Sequence, residues 1–184
     1  SGIGEASHLK NVGIEPIVDA KAVGRNLQDH IAVSYFYKVR TATLNDVLHP
    51  FVGKIRAGLR YMADRAGPLS LSVNQSGGFV RSDATKKHPN LQLYFSPVSY
   101  TKTPLSERKL LNPDPFSAFL LSHNPCRPTS RGHIELACAD PAKYPVIHPN
   151  YLATQTDIDD VLAGNRLLKQ IARTKPLADI ITEE

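Results

Sequence analysis

Residues 31–40 read Ile-Ala-Val-Ser-Tyr-Phe-Tyr-Lys-Val-Arg, and their alternation decides the fold. Ile31, Val33, Tyr35, Tyr37 and Val39 form one set, and Ala32, Ser34, Phe36, Lys38 and Arg40 the other. Successive side chains of a strand point to opposite faces, so the first set, apolar and β-favouring, faces a core. The second set begins small and polar and ends charged, as suits a cavity or solvent. Outward from this strand, shorter alternating runs predict further strands at 76–80, 91–95, 116–122 and 133–138. Two helices accompany them. Residues 51–65 place Phe51, Ile55, Leu59 and Met62 on one stripe, with Lys54, Arg56, Arg60 and Asp64 off it and Gly67-Pro68 as a stop. Residues 156–173 carry an apolar side of Ile158, Val161, Leu162, Leu168 and Ile171. Thr156 with Asp159 three positions on is capping-box-like, and Pro176 ends the run. A short helix over 3–12 stops at Gly13, residues 22–30 read as a loop, and 99–115 as a proline-rich loop. The expected fold class is α+β: a mostly antiparallel β-sheet with the helices at 51–65 and 156–173 packed on one face. The other face, bearing Ala32, Ser34, Gln92 and Tyr94, is left uncovered.

The 184 residues suit one domain, or one with an extension. A hydrophobic share of 41% supports a core and excludes a disordered or collagen-like chain. The net charge of +5 is spread along the chain without a polybasic run, and basic residues do not interleave with aromatics, so no nucleic-acid partner is expected. Cys126 and Cys138 lack CxxC spacing, which fits reduced thiols rather than a zinc site. There is no run of about 18 apolar residues and no signal peptide. The expected location is the cytoplasm, with membrane association of a longer parent left open. The first residue is Ser1, as in a piece of something longer.

Self-contained catalytic machinery is not evident. The seven histidines, at 8, 30, 49, 88, 123, 133 and 148, form no HExxH or HxH pair, so no metal site is expected. No GxSxG is present. Gly2-Ile3-Gly4 lacks a preceding strand and has Ser7 at the third glycine position, so it fails as a dinucleotide fingerprint.

A longer pattern runs through the chain in order. It comprises Ser1-Gly2-Ile3-Gly4, His8-Leu9, Val12-Gly13-Ile14, then Val23-Gly24-Arg25-Asn26-Leu27-Gln28-Asp29-His30. It continues with Gly77-Gly78-Phe79, Arg127-Pro128, Ser130-Arg131-Gly132, Asp140-Pro141, and Pro149-Asn150-Tyr151-Leu152 with Asp159. On these segments the chain resembles the middle to C-terminal portion of the glucose–methanol–choline (GMC) flavoprotein oxidoreductases. The resemblance implies an enzyme that oxidises an alcohol by hydride transfer to FAD. It implies that GxGxxG precedes this chain and that the catalytic His, with a second His or Asn, follows it. No catalytic residue is then expected here. The chain would be a single substrate-binding domain over 1–184, with 1–30 as the junction to an absent FAD domain and 31–175 as sheet and helices. Alone it is expected to bind no FAD and to be inactive. Its partners would be a small-molecule alcohol and the FAD domain of the same polypeptide, with dimerisation through the face that domain leaves exposed.

The same resemblance places Asn26, Asp29 and His30 near FAD. Read alone, Asn26 and Asp29 also suit a turn held by side chains. Ala32 stands where choline-oxidising members have a glutamate, and a methyl group cannot pair with a quaternary ammonium. Tyr94 matches a pocket-lining position where choline oxidases place a histidine, and it also suits ordinary sheet packing. Asn74 and Gln75 precede the Gly-Gly-Phe match and reach toward the same pocket, with Ser34 joining them by alternation. The alternative reading is a stand-alone small-ligand binding or protein-interaction module without flavin chemistry.

Overall fold

The computed structural model describes residues 1–72, 74–101 and 112–184. In chain order the first elements are β1 (Ile3–Gly4), α1 (Ala6–Asn11), β2 (Val18–Asp19), β3 (Arg25–Leu27) and β4 (Val33–Val39). They are followed by α2 (Leu44–Leu48), α3 (Phe51–Asp64), a 3-10 turn at Pro68–Ser70, β5 (Ser76–Val80) and β6 (Leu91–Ser96). Then come β7 (Ala118–Pro125), β8 (Gly132–Glu135), β9 (Val146–His148), α4 (Gln155–Ala172), α5 (Lys175–Ala178) and β10 (Ile181–Glu183). Most of the proline-rich loop expected at 99–115 lies outside the described residues. No helix among the described residues is long and apolar enough to cross a membrane.

The chain divides into two compact units. The larger combines 32–126 with 160–184 and is built on a five-stranded sheet in the order β10-β4-β7-β6-β5. Every pairing in it is antiparallel. β4 is the strand that residues 31–40 predict, and its alternation holds: Tyr37 and Val39 are buried, with Phe119, Leu121, Leu168 and Ala172, in one cluster. Tyr35, Leu93 and Phe95 flank that cluster. The Phe119 ring lies 5.3 Å from Tyr37 and 5.4 Å from Phe95, within the range of favourable aromatic pairs. α4 therefore covers the face that the odd-numbered residues of β4 define.

α3 departs from expectation. The helical period places it well, but Phe51, Ile55, Leu59 and Met62 are 75%, 48%, 62% and 77% exposed, and only Ala57 is buried. The helix packs beside α2 and the 3-10 turn rather than onto the sheet. α2 itself carries no clear periodic signal and is set by polar groups. Thr43 and Asp46 form a capping box. The fully buried Asn45 donates to the Ser99 hydroxyl (2.8 Å) and the Phe116 carbonyl (2.7 Å) and accepts from the Ser99 N–H (3.0 Å).

The smaller unit combines 1–31 with 127–159. β1 and β2 pair in parallel across α1, which starts later than the helix expected over 3–12 because Ile3 and Gly4 are extended. Gly13, at φ +80, ends the turn as expected. Part of the loop expected at 22–30 is a strand: β3 pairs with β8, which pairs with β9. Gly24 allows this, since a Cβ there would lie 2.3 Å from the Ile134 carbonyl oxygen. α4 begins one residue earlier than expected, and its first turn is capped from Thr154, whose hydroxyl accepts from the Asp157 N–H at 3.4 Å. Thr156 and Asp159 are not the capping pair.

Candidate functional site

In the larger unit the sheet face opposite α4 carries a row set by register. Ser34 of β4 stands opposite Ser122 of β7, Ser122 opposite Tyr94 of β6, and Tyr94 opposite Gly77 of β5. The Ser34 hydroxyl donates to Ser122 Oγ at 3.1 Å, and the Ser122 hydroxyl donates to the Val33 carbonyl at 2.9 Å. Ser122 is 6% exposed, whereas Ser34 is exposed and Tyr94 half-buried. Burial, and secondarily the nearby Cys126, raises the Tyr94 phenol above its ordinary value, so it stays a neutral donor. Gly77 is required by close approach, because a Cβ there would lie 2.2 Å from the Leu93 carbonyl oxygen. The result is a line of three hydroxyls beside a position with no side chain.

Ser34 and Tyr94 are thus brought onto one face, joined by Ser122. Ser122 carries no motif. The alternation of Leu120, Ser122 and Asn124 against Phe119, Leu121 and His123 marks its face, but only the strand register places it between the other two. Ala32 is exposed and precedes β4 by one residue. Gln75 extends the ladder through its N–H to the Phe95 carbonyl (3.0 Å), at the outer edge of the sheet. Asn74 lies in the bend before that ladder.

In the smaller unit Asn26, Asp29 and His30 are all exposed. Asn26 holds a left-handed backbone, φ +58, at a bulge between the Arg25 and Leu27 pairings of β3 with β8. One oxygen of Asp29 accepts from the His30 N–H at 2.8 Å, and the other accepts from the Tyr151 hydroxyl. The Tyr151 bond first, and the His30 N–H second, hold the Asp29 carboxyl below its usual range. Asp29 is therefore a positioning group that ties the Asn-Leu-Gln-Asp-His segment to Pro-Asn-Tyr-Leu. Tyr151, quoted in the motif but given no role, is its partner. A few residues away, Asp157 (3% exposed) accepts from the Thr129 N–H (2.7 Å), the Thr129 hydroxyl (2.9 Å) and the Ser130 N–H (2.8 Å). Burial raises its pKa, but the Ser130 and Thr129 bonds outweigh burial and bring it to about 2.

A cavity of about 280 Å³ in the same unit is lined by Gly2, Glu5, His8, Gly24, Arg25 and Leu136 among others. Its charges are matched internally, since Arg25 pairs with Glu5 at 2.8 Å and with Glu135 at 3.3 Å. The helix that follows Gly2-Ile3-Gly4 has a carboxylate already in place: the Ala6 N–H of α1 donates to Asp19 Oδ1 at 3.0 Å.

Fold and pattern together define the class of protein. The GMC oxidoreductase family profile matches residues 128–184, and the chain matches the C-terminal portion of that family's members. It is 33% identical over 183 residues to human mitochondrial choline dehydrogenase, covering 97% of this chain and 29% of that protein. It is 36% identical over 172 residues to an alcohol dehydrogenase (acceptor) of Pseudomonas putida, covering 93% and 30%. Among solved structures, a formate oxidase superposes with a TM-score of 0.84 at 25% identity, covering all of this chain and 36% of that one. A variant formate oxidase of Aspergillus oryzae RIB40, described for its FAD modification, gives the same values. The chain spans about a third of the length of the relatives it matches.

Proposed function

We propose that this chain is the substrate-side portion of a FAD-dependent oxidoreductase that acts on the CH–OH group of a small uncharged alcohol. The row Ser34–Ser122–Tyr94–Gly77 carries the reading. It brings the exposed Ser34 and the half-buried Tyr94 onto one sheet face opposite α4, as orienting an alcohol requires. The dehydrogenase names of the relatives support the redox class.

The residues of the smaller unit fit the ring end of FAD better than its phosphates. Asn26 and His30 are exposed, and an amide and an imidazole can each meet the donor and acceptor edge of an isoalloxazine. The α1 N-terminus is already occupied by Asp19 and offers no pyrophosphate cradle. Asn26 and His30 would hold the ring edge, and Asp29, through Tyr151, would hold their loop. When bound, FAD supplies the acceptor for the carbinol hydride as the alcohol becomes a carbonyl. Ser34, its hydroxyl oriented by Ser122, accepts from the substrate hydroxyl, and Tyr94 donates to it and limits its approach. The base that takes the hydroxyl proton is not assigned to this chain. Ala32 provides no carboxylate for a quaternary ammonium, which favours neutral alcohols over choline.

The test uses a protein of the length of its relatives, with its visible spectrum followed anaerobically as alcohols and choline are added. Bleaching of a flavin band near about 450 nm by neutral alcohols and not by choline is the expected result. Tyr94→Phe should raise KM several-fold with the flavin spectrum unchanged. Bleaching by choline overturns the role given to Ala32. A protein without flavin overturns the whole reading and leaves a ligand-binding module.

A further inference from the structure

The pairing of β8 with β9 brings together three side chains that their sequence positions keep apart. His133 of β8 stands directly opposite His148 of β9, and Glu135 lies two residues along β8 on the face of His133. The two imidazoles stack with centroids 4.4 Å apart and planes at 24°. His133 Nε2 is 3.5 Å from Glu135 Oε1. One nitrogen or oxygen from each of the three lies within 4.8 Å of the other two. The side chains of His133 and Glu135 are each 35% exposed, and His148 is exposed, so solvent reaches the cluster.

We propose that His133, Glu135 and His148 form a binding site for a first-row divalent transition cation such as Zn²⁺, which links β8 to β9. Two imidazoles with one carboxylate suit borderline cations of this series, whereas Mg²⁺ and Ca²⁺ prefer an all-oxygen shell. With metal–ligand bonds of about 2.0–2.1 Å, tetrahedral donors lie roughly 3.4 Å apart. Closing from 4.8 Å requires side-chain rotation only, which these partly exposed residues can make. The cross-strand position also keeps ordering costs low, because the β8–β9 ladder already fixes the backbones that carry the ligands. Arg25, 3.3 Å from Glu135 Oε1, opposes a second positive charge, but it is also bound to Glu5 at 2.8 Å. Glu135 Oε2 is left for the metal. Three protein ligands leave positions for water, as in an open site. β9 leads directly into Pro149-Asn150-Tyr151, so an ion here braces the segment whose Tyr151 holds Asp29.

The experiment uses the untagged 184-residue chain, stripped with a chelator and titrated calorimetrically with Zn²⁺ and, separately, with Mg²⁺. One equivalent of Zn²⁺ should bind and raise the melting temperature, with no heat from Mg²⁺. His148→Ala removes an exposed ligand without disturbing a core, and should weaken Zn²⁺ binding by at least about tenfold. Glu135→Gln should weaken it to a lesser degree, with circular dichroism confirming that both variants fold. Absence of stoichiometric Zn²⁺ binding by the parent chain, or undiminished binding by the folded His148→Ala variant, overturns the assignment.

Discussion

Two buried groups show how single residues set stability. Asp157 has its folded pKa depressed to about 2 against 3.8, so its contribution is fully present above pH 3.8 and is lost as the pH falls through about 2. The shift corresponds to about 2 kcal/mol. Asp157→Asn should therefore be less stable than the parent at pH 7 by about that amount, with the difference shrinking toward zero near pH 2 in urea titrations. A difference independent of pH would sink this account. The second group is His123, fully buried in β7. Its Nε2 lies 2.9 Å from Asn165 Oδ1, while Nδ1 has no hydrogen-bond partner among the described residues. Burial lowers its pKa. Gly164 makes room for that ring, since a Cβ there would lie 2.2 Å from His123 Nδ1. Helix propensity alone predicts that Gly164→Ala stabilises α4 by about 1 kcal/mol. Overpacking a buried ring costs about 1–3 kcal/mol, and at 2.2 Å the upper part of that range applies. Gly164→Ala should thus lower the melting temperature, and a smaller residue at 123 should relieve part of the loss. Stabilisation by Gly164→Ala in the parent background would show that the ring can move aside.

Among the elements, α3 separates what periodicity reveals from what it does not. A helix with Leu59 and Met62 in a core would lose about 2–5 kcal/mol on truncation of either. At 62% and 77% exposure, Leu59→Ser and Met62→Ser should each change stability by less than about 1 kcal/mol in equilibrium unfolding. A larger loss would mean that the stripe is covered. The stripe of Phe51, Ile55, Leu59 and Met62 was readable in the sequence because a 3.6-residue period is local. What lies against it is a tertiary fact that the period does not contain. The same division holds across the sheet. Alternation located β4, β5 and β6 almost to the residue and set Ser34 and Tyr94 on one face. Register, which is non-local, was needed to put Ser122 between them and to bring His148 beside His133. The short elements α2, β3, β9 and β10 escaped because polar contacts and pairing partners hold them. For the cap of α4, Thr154 with Asp157 and Thr156 with Asp159 share one spacing, and only the fold, in which the Asp157 N–H donates to the Thr154 hydroxyl, chooses between them.

At the scale of the whole chain, burial is unevenly shared between the two units. Of the buried hydrophobic residues among those described, only Leu9 belongs to the smaller unit, and the others, from Tyr37 to Ala172, belong to the larger. In the smaller unit Ile3, Ile17, Val18, Val23, Tyr144 and Ile147 are exposed. That unit is held by two- and three-stranded ladders, by Arg25 with Glu5 and Glu135, and by the Asp157 and Tyr151 hydrogen bonds. Exposed ion pairs contribute at most about 1 kcal/mol each, whereas each fully buried large apolar side chain contributes about 1.5–3. Opening the smaller unit therefore exposes little apolar surface and should occur well below the global unfolding free energy. Native-state hydrogen exchange on the 184-residue chain tests this. Amides of β4, β6, β7 and the C-terminal half of α4 should exchange only through global unfolding, with a strong denaturant dependence. Amides of β1, β3, β8 and β9 should exchange earlier, with a shallow dependence. Zn²⁺ bound at His133, Glu135 and His148 should slow β8 and β9 selectively. Equal protection in both sets would show that the chain unfolds as one cooperative body despite its divided core.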